Sequence, residues 1–146
     1  MSDPTEQPQK TLEAVETAFP GYPIGCPLEG AVLAEGRAFR VVANNPPSPE
    51  DFMSMEERGE RPKSKPTANQ HCKRLSLSIY REAIDARHHL KVYPYTGKFI
   101  AAKVLTNDLG KTLLTPPKPP VTERQSHTEW WCANGINRLA DFHVIE

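Results

Sequence analysis

The sequence predicts an α+β fold: a small mixed, mainly antiparallel sheet with two or three helices. Three observations carry this. Short runs of β-branched, aromatic or alternating apolar residues outnumber the helical segments. Turn signals such as Asn107-Asp108-Leu109-Gly110 and Asn134-Gly135 join neighbouring runs in the manner of hairpins. The regular strand–helix alternation of a doubly wound sheet is absent.

The elements follow in chain order. Residues 1–9 are polar and read as disordered, and Thr11 to Phe19 reads as a short helix with Leu12, Val15 and Phe19 on one face. Pro20-Gly21 stops it, and residues 20–36 read as an irregular arm turning at Gly21, Gly25, Gly30 and Gly36. Ala38 to Ala43 is the first strand. Ser48, Pro49, Glu50 and Asp51 then form a helix start: an N-cap, a proline at the first helical position and acids at the positive end of the dipole. That helix is predicted to run through Phe52, Met53 and Met55 to Gly59, with residues 59–70 as a solvated loop.

Arg74 to Tyr80 alternates with period two, placing Leu75, Leu77 and Ile79 on one face and Ser76, Ser78 and Tyr80 on the other. Arg81 to His89 is helical in composition. Lys98 to Leu105 reads as a strand, and Thr112 to Thr115 as its hairpin return. The proline-rich connector Pro116 to Pro120 follows, then a strand over Thr128 to Cys132 and a terminal strand over Phe142 to Ile145. The organisation is a flexible arm with a short helix, residues 1–36, and one α+β domain, residues 37–146.

Composition narrows the function classes. Lys+Arg and Asp+Glu balance at 18 each, so the basic excess of a general nucleic-acid binder is missing. Cys26, Cys72 and Cys132 are odd in number and widely spaced, a poor disulfide framework. The first residues lack the basic and apolar regions of a signal peptide, and no apolar run approaches the ~18 residues of a membrane span. A cytoplasmic setting without membrane association is expected.

The candidate chemistry is distributed along the chain. His71, Cys72, His88, His89, His127 and Cys132 lack the paired spacing of a structural zinc site, so no metal ligand set is assigned. Cys132 has only His127 nearby to activate it, and a buried thiol is the commoner state. Neither a phosphate loop nor a Gly-x-Gly-x-x-Gly turn is present. Arg40 interrupts an apolar strand; it meets an anion, pairs with an acid such as Glu129, or points outward. Ser76 and Ser78 stand on the polar face of the middle strand, and His127 and Glu129 begin the late one. Trp130 and Trp131 point to opposite faces, so one ring belongs to the core and the other is free to line a cleft or interface.

An arginine on an early strand, Ser-x-Ser on a middle strand followed at once by a helix, and a glutamate on a late strand resemble the arginine–serine–glutamate order of ADP-ribosyltransferase-like folds over residues 37–145. The resemblance implies an NAD-using transferase or NAD-cleaving enzyme of effector or toxin type. Arg40 would hold the NAD phosphate and ribose and Ser78 would order the binding strand; Ser76 on the same polar face and the Trp130 ring are added from the residues themselves as further dinucleotide contacts. Glu129 would bind ribose and assist transfer, and His127 would serve as acid or base. The middle motif here is Ser-Leu-Ser rather than Ser-Thr-Ser, and His127 stands where the family carries Glu or Gln. The alternative is a non-catalytic module that docks a protein partner through its tryptophan pair and proline-rich segment. A cleft where Arg40, Ser78 and Glu129 converge favours the enzyme; a flat exposed aromatic patch favours the module.

Overall fold

The structure, a computed structural model, describes residues 22–146. The helix expected over residues 11–19 lies outside the described residues. The α+β class is as the sequence predicts, with every strand pairing antiparallel. In chain order the elements are β1 (Val32–Leu33), β2 (Gly36–Val42), a 3-10 turn (Pro49–Phe52), α1 (Ala68–Arg74), β3 (Leu77–Tyr80) and α2 (Ala83–Val92). There follow β4 (Phe99–Leu105), a second 3-10 turn (Asn107–Leu109), β5 (Gly110–Leu114), β6 (His127–Cys132) and β7 (His143–Val144). The strand order across the sheet is β1-β5-β6-β3-β2-β4-β7.

Two residues separate β1 from β2, yet β1 pairs with β5 while β2 pairs with β3 and β4. The chain bends at Gly36, whose positive φ of 81° suits a residue without Cβ. The sheet therefore curls back toward itself. Arg81 pins the bend, its Nη1 donating to the carbonyls of Glu35 and Arg37 and its Nη2 to Thr112 Oγ1.

Strand alternation distributes the core over both faces. Ala38, Val42, Leu77, Ile79, Ala101, Leu105 and Trp130 pack on one face with Phe52 and Phe142. On the other, Phe39, Tyr80 and Ile100 meet Ala86 of α2, and Trp131 packs with Cys26 and Cys72. α2 has no side-chain cap of its own; instead Ser126 Oγ accepts from the Arg81 and Glu82 N–H groups and donates to Asp85. Those bonds tie Ser126, the residue just before β6, to the start of the helix.

Several sequence expectations are corrected. The helix expected from Pro49 to Gly59 ends after one 3-10 turn. In a continuing helix the Asp51 carbonyl would accept from residue 55; here it accepts from Arg40 Nε at 2.7 Å, and Phe52 is drawn into the core, 4.8 Å from the Phe142 ring. The loop expected over 59–70 contains the start of α1, which Thr67 and Gln70 open with a reciprocal capping box. The middle strand starts at Leu77 rather than Arg74. β5 is not the hairpin return of β4, because it pairs with β1 and β6. Gly110 enforces that docking: a Cβ there would lie 2.0 Å from the Trp131 carbonyl oxygen.

The described part of the arm is not separate from the domain. Val32 and Leu33 add a strand to the sheet, and Cys26 forms a disulfide with Cys72 of α1, with Cα atoms 5.5 Å apart. The fold brings together two cysteines that lie 46 residues apart in sequence, a pairing that spacing alone does not reveal. No helix among the described residues is long and apolar enough to cross a membrane.

Candidate functional site

The ladder between β2 and β3 holds one pair, Phe39 opposite Tyr80. Next to it the Arg40 side chain takes the place of backbone partners. Its Nη1 donates to the Ser78 carbonyl and its Nε to the Asp51 carbonyl, each at 2.7 Å, and its guanidinium carbon lies 5.5 Å from the centre of the Phe52 ring. Arg40 is buried, and burial lowers its pKa to about 10, so it stays charged near neutral pH. It forms no ion pair among the described residues. The nearby Asp51 carboxylate is occupied by the Ala43 and Ser48 N–H groups.

This arginine lines a cleft with a cavity volume of about 390 Å³, together with Ser76, Ser78, Tyr80, His89 and Glu129. Ligand pockets span roughly 300–1,000 Å³. Three of the cleft's lining residues belong to a two-by-two array: Ser78 and Tyr80 share one face of β3, and across the β6 register Glu129 stands opposite Ser78 and His127, beside the cleft, opposite Tyr80. Along one rim are Arg58, Lys73 and Arg74. Arg58 pairs with Glu60 at 2.8 Å and Arg74 with Glu56 at 3.0 Å, whereas Lys73 makes no ion pair among the described residues.

Hydrogen bonds assign the protons in this array. His127 Nδ1 lies 3.0 Å from the Thr115 carbonyl and 2.9 Å from Thr115 Oγ1, whose own proton goes to Glu129 Oε2. Both Thr115 oxygens face the ring as acceptors, so Nδ1 carries the hydrogen. In the neutral ring His127 Nε2 then carries the lone pair, which accepts from Ser78 Oγ at 3.1 Å. His89 is the opposite tautomer. Thr96 Oγ1 gives its proton to the Tyr93 carbonyl and accepts from His89 Nε2 at 3.0 Å, which leaves Nδ1 to accept from Tyr80 O–H at 2.8 Å. Burial lowers the His89 pKa to about 4, helped by the positive Arg124, and burial raises the Tyr80 phenol to about 12. Both are neutral near pH 7.

The sequence-derived site residues divide accordingly. Arg40, Ser76, Ser78 and Glu129 line the cleft, and His127 is bonded to Ser78. Ser76 does not share the polar strand face, since it precedes β3 and its hydroxyl donates to the Lys73 carbonyl at the end of α1. Trp130 is not at the cleft. It is fully buried in the core, its indole donating to the Leu109 carbonyl at 3.0 Å. Trp131 is equally buried and donates to the Cys72 carbonyl at 2.9 Å, so neither ring forms an exposed patch. Cys132 is a buried thiol whose pKa burial pushes up to about 12.

No family model, curated protein or solved structure matches this chain.

The chemistry therefore rests on the residues. The cleft offers a buried cation at one side and a buried carboxylate at Glu129, and beside it the His127 imidazole stands between a serine and that carboxylate. Tyr80, His89 and Thr115 complete the array, and sequence reasoning missed all three. In sequence the adjacent His88-His89 pair suggests only metal ligation, and Thr115 stands at the edge of the proline-rich connector.

Proposed function

We propose that this cleft binds a dinucleotide such as NAD and that the protein is an NAD-cleaving or ADP-ribosyl-transferring enzyme. The observation that carries the reading is the meeting, in one cleft, of a buried arginine that forms no ion pair among the described residues and the Glu129 carboxylate on β6. A buried cation held by carbonyls rather than by an ion pair favours an anionic ligand, and a guanidinium is shaped for phosphate oxygens. Three strands distant in sequence supply the arginine, serine and glutamate, as the resemblance to ADP-ribosyltransferase-like folds implies.

NAD supplies a glycosidic bond whose cleavage develops positive charge on a ribose. Arg40 and Lys73 hold the diphosphate. Glu129 sets its carboxylate against the developing charge, and Thr115 fixes which oxygen faces the cleft. His127 accepts a proton from the attacking hydroxyl through Nε2. The full burial of both tryptophans favours this reading over a docking module anchored on them.

The test is nicotinamide release from NAD, with binding followed separately by calorimetry. Wild type is expected to bind and release nicotinamide. Glu129→Gln is expected to keep binding and lose roughly 100-fold or more in rate. Absence of both binding and release at millimolar NAD overturns the proposal.

A further inference from the structure

We propose that Ser78 is a nucleophile activated by His127, giving the cleft an esterase activity toward carboxylic esters that carry a negative charge. This goes beyond the dinucleotide reading and does not rest on it.

The arrangement has the nucleophile, the base and the carboxylate of serine acyl transfer. Ser78 is exposed at the cleft, and its Oγ lies 3.1 Å from His127 Nε2, to which it donates when the ring is neutral. The Thr115 carbonyl, an acceptor only, holds His127 Nδ1 as the N–H, so Nε2 is free to act as base. Glu129 Oε2 lies 3.8 Å from that Nδ1 and is joined to it through Thr115 Oγ1, which places a carboxylate beside the imidazolium that forms. Arg40 is bonded to the carbonyl of Ser78 itself, so a positive charge is held against the backbone of the reacting residue. Lys73 adds a second cation without an ion-pair partner among the described residues, which selects an anionic substrate.

The reaction balances with water as its only co-reactant. The Ser78 oxygen attacks the ester carbon, its proton passes to His127 Nε2, and the carbonyl electron pair moves to oxygen. As the tetrahedral adduct collapses, the bond to the alkoxide breaks, and the alkoxide leaves as an alcohol with the proton from His127. Water then attacks the acyl-Ser78 ester, giving one proton to His127. That proton returns to Ser78 as the carboxylic acid leaves.

The test uses the full chain with 4-nitrophenyl hydrogen succinate, and 4-nitrophenyl acetate as the neutral comparison. A stoichiometric burst of nitrophenolate is expected, faster with the succinate, with a succinyl mass increase on the peptide carrying Ser78. Ser78→Ala is expected to lose burst and adduct, and His127→Gln to slow acylation roughly 100-fold or more. Adding imidazole to His127→Ala is expected to restore part of the rate. No adduct on Ser78 in wild type, or an equal burst in folded Ser78→Ala, overturns the proposal. The adduct is measured on wild type, so the test stands even where a variant does not fold. NAD is absent throughout, so failure here and failure of the dinucleotide reading are separate results.

Discussion

Ser78 and Glu129 stand directly opposite one another on β3 and β6, with their side chains on the same face of the sheet. Residues 51 apart in sequence are thereby made neighbours by backbone pairing rather than by a mobile loop. The rest of the cleft is arranged around this pair: Arg40 is bonded to the Ser78 carbonyl, and His127 to the Ser78 hydroxyl.

Arg40 is a structural strut as well as a charge. Arg40→Met leaves the Ser78 and Asp51 carbonyls without their donors, at a cost of about 1–3 kcal/mol for a buried group, offset in part by the removal of a buried charge. Urea unfolding is expected to show a net loss of about 2 kcal/mol. Arg40→Lys is expected to lose nearly as much, because one ammonium cannot span both carbonyls in the guanidinium's geometry. Unchanged stability in both variants would sink this assignment.

His89 gives a pH dependence whose sign follows from linkage. Its folded pKa is depressed to about 4, below the ordinary value of 6.5. Between those values the unfolded chain binds the proton that the folded chain refuses, so stability falls as pH falls from 6.5 to 4. His89→Gln should flatten that part of the curve. Asp51 and Glu57, whose pKa values are lowered, contribute stability that is lost only at more acid pH. Denaturant midpoints across this range check the point, and parallel slopes for wild type and variant would contradict it.

Gly110→Ala tests the close approach of β5 to β6. The added carbon would sit 2.0 Å from the Trp131 carbonyl oxygen, at a backbone φ of 130° that side chains rarely adopt. A loss of about 3 kcal/mol is expected. A fully stable variant would show that the strands can part without cost.

The Cys26–Cys72 bond closes 46 residues of sequence, which in the chain-entropy picture stabilises the fold by roughly 4 kcal/mol. Thermal unfolding with and without reductant is expected to separate clearly, and Cys26→Ala/Cys72→Ala should match the reduced protein. Such a bond is seldom maintained in a reducing cytosol. Thiol titration of unreduced, denatured protein is therefore expected to find Cys132 alone; three free thiols would refute the pairing.

Local patterns make much of the fold legible. β2, β4 and β6 are runs of branched or aromatic residues, and α2 is an unbroken helical stretch, so each lies near its expected position. What sequence reasoning missed is mostly tertiary. The helix from Pro49 stops because Arg40 claims the Asp51 carbonyl, and β5 leaves β4 because Gly110 fits against β6. α1 is the exception, since Thr67-x-x-Gln70 is a local helix-start signature standing inside a stretch whose charges and prolines read as loop. At the site, residues of distinctive chemistry within strands point to Arg40, Ser78, His127 and Glu129. The same alternation cannot say which tryptophan is covered, and Trp130 and Trp131 are both core. Tyr80, His89 and Thr115 acquire roles only through partners that the sheet order supplies.

The most direct measurement is an amide chemical-shift titration of the isotopically labelled chain with NAD. Binding in the Arg40 cleft predicts saturable shifts concentrated at Ser54, Lys73, Ser76, Ser78 and Glu129, which line it. No shifts at millimolar NAD, or shifts centred instead on the groove between Val104 and His143, would contradict it.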